Sequence, residues 1–401
     1  MRRRTALVAA LALVPLILIA PLADADPATP EPQPDPTPVE TPTEVEPVLG
    51  SDWYIDAMKI EEAHELSTGE GVTVAVIDTG VDRLHPDLDG KVLEGVTMTP
   101  EGPRPGGGDL DVDGHGTAMA GLIAGTGSEV LGVAPDARIL PVRVERDTEG
   151  RLDPDLVYEG VRWAIDNGAS IINLSLRGKQ TLDTGWKREM LRYAIDHDAV
   201  LVAAVGNKTE DDVRVGEPAS IPGVVAVSGM NKSGYVWSGS VTGDSVVVCA
   251  PAEGLPHIQP GARPQVASGT SGAAALVSGV AALIRSQYPN ASAADIINRL
   301  IYTAHDETGD GRDPGFGYGT VDAYSALTAA VAPTDDYPLE LPDDVTQDTV
   351  AVPSENDVGG WWLGTPMLVA ILAGGAAIAW LFRRSRDRQL VATDVPVEQQ
   401  V

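Results

Sequence analysis

Between residues 71 and 302, short β-branched runs alternate with stretches of helical periodicity, and this alternation restricts the fold more than any other feature. Gly71–Ile77, Arg138–Val144, Ser170–Leu176, Val200–Ala204, Val224–Val227 and Ser245–Val248 read as strands. Asp155–Asn167, Trp186–His197, Gly272–Gln287 and Ala293–Tyr302 read as helices. In the first of these, Leu156, Val157, Val161, Trp163, Ala164 and Ile165 make the apolar face. Strands that alternate with helices build a mostly parallel sheet covered by helices on both sides, an α/β architecture in three layers. Aromatic residues make up only 4% of the chain, so the core is expected from Ala, Val, Ile and Leu. Such side chains suit strands buried on both faces.

Two apolar segments flank this region. Residues 1–25 begin with Arg2-Arg3-Arg4, continue through an apolar run to about Leu22 and end in Ala23-Asp24-Ala25. A basic start, an apolar middle and an A-x-A ending are the parts of a secretory signal, with cleavage expected after Ala25. The uncharged run 361–382 is long enough to cross a bilayer as a helix of roughly 33 Å. Trp361, Trp362 and Trp380 lie at its ends, and Arg383, Arg384, Arg386 and Arg388 follow. Aromatic ends and a basic flank predict a single membrane span with a cytoplasmic C-terminus and the rest of the chain outside.

The expected organisation is therefore a signal peptide over 1–25, a Pro-rich acidic leader over 26–50 and a folded domain over 51–331. A stalk over 332–360, a transmembrane helix over 361–382 and a cytoplasmic tail over 383–401 complete it. The leader is too polar to bury a core and too short to fold as an inhibitory pro-domain. The net charge of −30 argues against nucleic acid as a partner, because polyanions repel each other. The one cysteine, Cys249, sits in the apolar run Val246–Ala250 and reads as a small core residue. No intramolecular disulfide can form.

Three segments carry chemistry. Val76-Ile77-Asp78-Thr79-Gly80 places an acid directly after a strand. Asp113-Gly114-His115-Gly116-Thr117 places a histidine between glycines. Ser268-Gly269-Thr270-Ser271-Gly272 places a serine at the head of an apolar helix. A serine hydroxyl becomes a nucleophile when an imidazole takes its proton, and a carboxylate fixes the imidazole tautomer and stabilises its charged form. A helix N-terminus supplies backbone N–H groups where negative charge develops. Asn207, after the strand Val200–Ala204, offers a side-chain amide as the second donor of an oxyanion hole. Glycines around His115 and Ser271 are expected to let a peptide approach closely.

The order Asp78, His115, Asn207, Ser271 resembles that of the subtilisin-like serine proteases, the peptidase S8 family. His85-Pro86-Asp87-Leu88, Gly132-Val133-Ala134-Pro135, Asn173-Leu174-Ser175-Leu176 and Phe316-Gly317-Tyr318-Gly319 extend the likeness over about Trp53 to Leu327. The resemblance implies a subtilisin-like fold and a serine endopeptidase, with Asp78, His115 and Ser271 as its triad and Asn207 in the oxyanion hole. An extended substrate is expected beside Ser175, Leu176, Arg177 and Gly178. Three features depart from the family pattern. Gly272 follows the serine where Met or Phe is common, Arg177 stands where Gly is common, and the single cysteine excludes any disulfide.

The leader, the stalk, the single C-terminal span and the opening Trp53-Tyr54-Ile55-Asp56-Ala57-Met58 resemble the mycosins, membrane-anchored subtilases associated with type VII secretion. That resemblance implies limited proteolysis of secreted proteins or support of the secretion apparatus. The alternatives are a general surface protease and a structural subunit with dispensable catalysis. No cofactor is expected. His305–Asp313 is oxygen-rich like a calcium loop but lacks the terminal bidentate Glu, and reads as a solvated loop. His85 reads as a structural residue of the turn before Pro86, Asp113 as a turn residue, and Trp53-Tyr54 as an aromatic pair packing the first segment onto the body.

Overall fold

The computed structural model describes residues 52–345 apart from 112, 145–152, 179–184, 211, 310, 335 and 343–344. Two short helices, α1 (Trp53–Met58) and α2 (Ile60–His64), lead into the first strand, β1 (Thr73–Asp78). A 3-10 turn over Pro86–Leu88 precedes β2 (Val96–Thr99), β3 (Gly102–Pro105) and α3 (His115–Ala124). Strand-helix alternation follows through β4 (Arg138–Val144), α4 (Pro154–Asp166), β5 (Ile171–Leu174), α5 (Trp186–Asp196), β6 (Val200–Ala204), β7 (Val225–Met230) and β8 (Val248–Pro251). A hairpin of β9 (Leu255–Gln259) and β10 (Ala262–Ala267) then precedes α6 (Thr270–Gln287), α7 (Ala293–Tyr302) and α8 (Ala323–Thr328).

The main sheet has eight strands in the order β3-β2-β4-β1-β5-β6-β7-β8. Every neighbouring pair is parallel except β2 with β3. Each residue of β6 and β7 is buried, which is why Val200–Ala204 and Val224–Val227 read as unbroken apolar runs rather than alternating ones. Helix α4 lies against β1, β2 and β4 with α5 beside it, while α3 and α6 pack together on the other face. Helix α4 starts where Asp153 accepts from the Asp155 N–H and Pro154 takes the first helical position. Helix α7 starts at a capping box of Ser292 and Asp295.

Helix α6 runs through the centre and is buried nearly all round, from Thr270 to Ile284. Its small residues allow close packing: a Cβ added at Gly279 would lie 2.5 Å from the Val133 Cβ. This explains how a chain poor in aromatics fills its interior. Cys249 is fully buried in β8, and burial pushes its thiol up to about 12. Tyr54 is also fully buried, donating to the Leu131 carbonyl, and Trp53 donates to the Glu253 carbonyl.

Strands β2 and β4 lie on one side of β1, and β5 to β8 on the other. The winding direction reverses at β1, and crevices outside the carboxyl ends of strands open at such reversals. Asp78 is the last residue of β1. The topology thus sets the acid at a natural binding crevice before any side-chain detail is considered.

The expected strands fall on β1 and β4 to β8 with shifted ends, the last lying at Val248–Pro251 rather than Ser245–Val248. Strands β2 and β3 and the β9–β10 hairpin were not expected from sequence. Two prolines in β3, Pro103 and Pro105, hide a strand that lies at the sheet edge, where proline is tolerated. Residues 333–334 and 336–341, read as part of a stalk, run along the domain. Tyr337 donates to the Gly223 carbonyl at 2.8 Å and the Thr334 N–H donates to Asp295 at 2.8 Å.

The expected transmembrane helix is corrected by the structure. Among the described residues no helix is long and apolar enough to cross a membrane, and the run 361–382 lies outside them. The longest described helix, α6, has 18 residues, about 27 Å, and its apolar surface is taken up by the sheet and α3. The α/β part of the expectation stands without the span, and the single-pass localisation with a cytoplasmic C-terminus falls with it. The signal and leader segments, 1–25 and 26–50, also lie outside the described residues.

Candidate active site

Asp78 and His115 meet where β1 ends and α3 begins. His115 Nδ1 lies 2.8 Å from Asp78 Oδ1 and 2.9 Å from Oδ2, and the carboxylate is buried. The Thr79 N–H donates to Asp78 Oδ1 at 2.8 Å and fixes the plane of the acid. With Nδ1–H facing the carboxylate, the Nε2 of the neutral ring is the proton acceptor. The Asp78 charge raises His115 above the ordinary imidazole range against the opposing effect of burial, and Asp113 and Asp111 add to the rise.

An imidazole accepts a proton only when neutral, so the raised value sets the acid limb of kcat/KM above about pH 6.5. Because Asp113 adds to the rise, Asp113→Asn is expected to move that limb to lower pH at low ionic strength. Parallel pH–rate profiles check this, and an unmoved limb would contradict it.

Asp111, in the sequence only one member with Asp109 and Asp113 of an acidic patch beside His115, is the group that holds this corner together. The buried Asp111 carboxylate accepts from the Thr79 hydroxyl at 2.9 Å, the Gly114 N–H at 2.9 Å, the Thr117 N–H at 2.9 Å and the Thr117 hydroxyl at 2.7 Å. It also accepts from the Asp113 N–H at 3.1 Å. Thr79 in turn accepts from the Gly116 N–H at 3.0 Å. Asp111 thus clamps the first turn of α3 to the end of β1, and His115 is carried between them. Asp113, read as the turn residue, is exposed.

The chain's own packing requires the glycines beside His115. Gly114 has φ of 91°, and an added Cβ there would fall 2.6 Å from Gln259 Oε1. A Cβ at Gly116 would fall 2.0 Å from the Gly80 carbonyl oxygen.

Ser271 is the second residue of α6, behind Gly269. Its hydroxyl donates to the Ser175 carbonyl at 3.4 Å, and among the described residues no hydrogen bond joins it to His115. Its N–H lies in the first turn, where helix geometry provides no intrahelical acceptor. Buried polar groups tie this turn to β5. The Ser175 hydroxyl donates to the Ser271 carbonyl at 2.9 Å, and Asn173 donates to the Ser175 hydroxyl at 3.0 Å. Ser278, one helical stretch further on, donates to Asn173 Oδ1 at 3.1 Å. An asparagine inside an apolar strand and a serine inside an apolar helix were the available signals, since buried polar groups need partners.

Asn207 follows β6. Its Oδ1 accepts from the Thr270 N–H at 3.0 Å and from the Thr270 hydroxyl at 3.1 Å. Of the two ends of a side-chain amide only the oxygen accepts from an N–H, so these bonds fix which end is which. The Nδ2 protons have no partner among the described residues.

Of the segment expected to meet substrate, Gly178 is bridged to Glu217 in both directions, with N–H to carbonyl at 2.8 Å and carbonyl from N–H at 3.2 Å. Its N–H is therefore committed, whereas among the described residues the backbone of Ser175, Leu176 and Arg177 makes no main-chain hydrogen bond, the Ser175 carbonyl taking the Ser271 hydroxyl instead. His85 lies apart from the site, accepting from the Asp87 N–H at 3.2 Å in the 3-10 turn. His257 on β9 is close instead. Burial and the charge on His115 lower it to about 4, so it is neutral at ordinary pH.

In the 305–313 loop Asp306 accepts from the N–H groups of Thr308, Gly309 and Gly311, and Asp313 accepts from those of Gly315 and Phe316. Among the described residues no cluster of three metal-ligating side chains occurs.

A carboxylate, an imidazole and a hydroxyl at three element ends, with a fixed amide beside the hydroxyl, suit acyl transfer. Residues 69–319 match the subtilase family, Peptidase S8. The chain belongs to the subtilase family. Among curated subtilases, fervidolysin of Fervidobacterium pennivorans is 34% identical over 306 residues, covering 69% of this chain. The chain spans 43% of the length of fervidolysin and 61% of that of subtilisin E from Bacillus subtilis.

Among solved structures, MycP1, described as an essential component of the type VII (ESX-1) secretion system, is 32% identical with a TM-score of 0.61. The match covers 69% of this chain and 88% of MycP1. MycP3 from the type VII (ESX-3) system is 32% identical with a TM-score of 0.60, over 69% of this chain and 88% of that one.

Proposed function

We propose that this subtilase is a serine endopeptidase acting through Asp78, His115 and Ser271, with Asn207 in its oxyanion hole. The observation that carries the reading is the grip of both Asp78 oxygens on His115 Nδ1, at 2.8 and 2.9 Å. It orients the ring and stabilises the imidazolium that forms when Nε2 takes the serine proton. The Ser271 hydroxyl leaves the Ser175 carbonyl by rotating about its side-chain bond, gives its proton to His115 and attacks the peptide carbonyl. The oxyanion is met by Asn207 Nδ2 and the Ser271 N–H. Each such donor is worth on the order of 3 kcal/mol to the transition state. The protonated His115 then gives its proton to the leaving amine, and water repeats the sequence on the acyl-enzyme.

The substrates in this reading are secreted proteins of a type VII system. Its support is the likeness to MycP1 and MycP3, each matched over 88% of its length. A general protease is the second reading, supported by the 34% identity to fervidolysin. Comparing secreted proteins from a deletion strain, a strain carrying Ser271→Ala and the parent separates them. Processing lost in both altered strains supports the first reading, and secreted proteins unchanged on deletion contradict it. Secretion lost on deletion but retained with Ser271→Ala would assign the chain a scaffolding role instead.

A further inference from the structure

Arg177 departs from the family pattern, and its side chain takes an unusual course. An added Cβ at Gly206 would lie 2.2 Å from Arg177 Cδ, and one at Gly216 would lie 2.4 Å from Arg177 Cγ. The aliphatic stem is therefore laid between two bare stretches of backbone. Its guanidinium is held at three points. It donates to the Asn207 carbonyl at 3.1 Å and to the Arg214 carbonyl at 2.9 Å, and it pairs with Asp212 at 3.0 Å.

The three backbone segments around this stem form a slot. One is the free edge 175–177 beyond β5. The second is 205–207 beyond the neighbouring β6, which ends on Asn207. The third is 214–217, joined to the second by the Gly216 N–H on the Val205 carbonyl at 3.1 Å and to the first by the Gly178–Glu217 bridge. The slot adjoins both Asn207 and 175–177, where the proposed endopeptidase reading sets the carbonyl oxygen and the chain of the residue before the scissile bond. Two glycines lining a slot normally leave room for a large side chain there. Here the room is filled.

We infer that Arg177 is a specificity-determining residue, closing the slot for the side chain before the scissile bond so that only Gly, Ala or Ser is accepted there. The inference rests on the proposed endopeptidase reading and deepens it by naming a substrate class. Asp212 neutralises the guanidinium, and the buried Glu217 is paired with Lys187 at 2.5 Å. Restriction by size rather than attraction of an acidic side chain is therefore the expected outcome.

The test uses the full chain and a peptide series differing only before the scissile bond: Ala, Leu, Phe and Glu. The unaltered enzyme is expected to favour Ala over Leu and Phe by about 10- to 100-fold in kcat/KM, the range a filled apolar pocket produces. Arg177→Gly is expected to raise kcat/KM for Phe about 10-fold or more while that for Ala changes less than about threefold. Equal cleavage after Phe and Ala by the unaltered enzyme, or preference for Glu, overturns the inference.

Should Arg177→Gly fail to fold, Asp212→Asn removes one of the three holds. It is expected to raise the Phe-to-Ala ratio about threefold, as a weakened ion pair of partial exposure allows. No change in the ratio overturns the inference. Absence of cleavage of any peptide, together with no serine-directed labelling, would instead sink the endopeptidase reading.

Discussion

Replacing Ser271 by Ala is expected to lower kcat on peptide substrates by on the order of 10⁶-fold while leaving the fold intact. The magnitude is that known for the nucleophile of subtilisin, a member of the same family. The Ser271 hydroxyl makes one hydrogen bond, at 3.4 Å to the Ser175 carbonyl. The bonds that hold the turn use its backbone and neighbours: the Ser175 hydroxyl on the Ser271 carbonyl and Asn207 on Thr270. Stability is therefore expected to change by less than about 0.5 kcal/mol. Steady-state kinetics with urea unfolding of both proteins checks this. Residual activity above a hundredth of the parent's would contradict the assignment.

Asp78→Asn is expected to lower kcat by about 10⁴-fold, the loss known for the same change in serine proteases. The Thr79 N–H donates to Asp78 Oδ1 and will hold an oxygen in that place after the substitution. The new amide nitrogen then faces His115 Nδ1, and a donor there forces the ring to present Nδ1 as acceptor and Nε2 as N–H. The imidazole is left in the tautomer that cannot take the serine proton. Asp78 is also the first cause of the raised His115 value, so the acid limb of any remaining activity moves to lower pH. Activity within tenfold of the parent would show that another acid orients the ring, with Asp111 and Asp113 nearest in charge.

Much of this was legible in the sequence because the acid, base and nucleophile each sit at the end of a strongly patterned element. Asp78 closes a buried strand, His115 opens one apolar helix and Ser271 opens another. The supporting groups were less legible. Asp111 lies in a short acidic loop with no periodicity, and its five bonds to Thr79, Asp113, Gly114 and Thr117 appear only once the loop is folded back. The glycines beside His115 have a cause the sequence did not show, the close approach of Gly80 and Gln259. Arg177 was visible as a departure from pattern. Its course across Gly206 and Gly216 depends on segments about thirty and forty residues away, which no local pattern encodes. The membrane span was read from an uncharged run with aromatic ends and a basic flank, and no helix of the described fold provides it.

The central claim is that Ser271 is a nucleophile activated through His115 and Asp78. A fluorophosphonate reacts with an activated serine and not with an ordinary hydroxyl, so labelling of the purified protein followed by mass-spectrometric mapping addresses it directly. The account predicts one adduct, on Ser271, forming faster as pH rises and strongly slowed by Asp78→Asn. No adduct on Ser271, under conditions that fully label a control subtilisin, would contradict it.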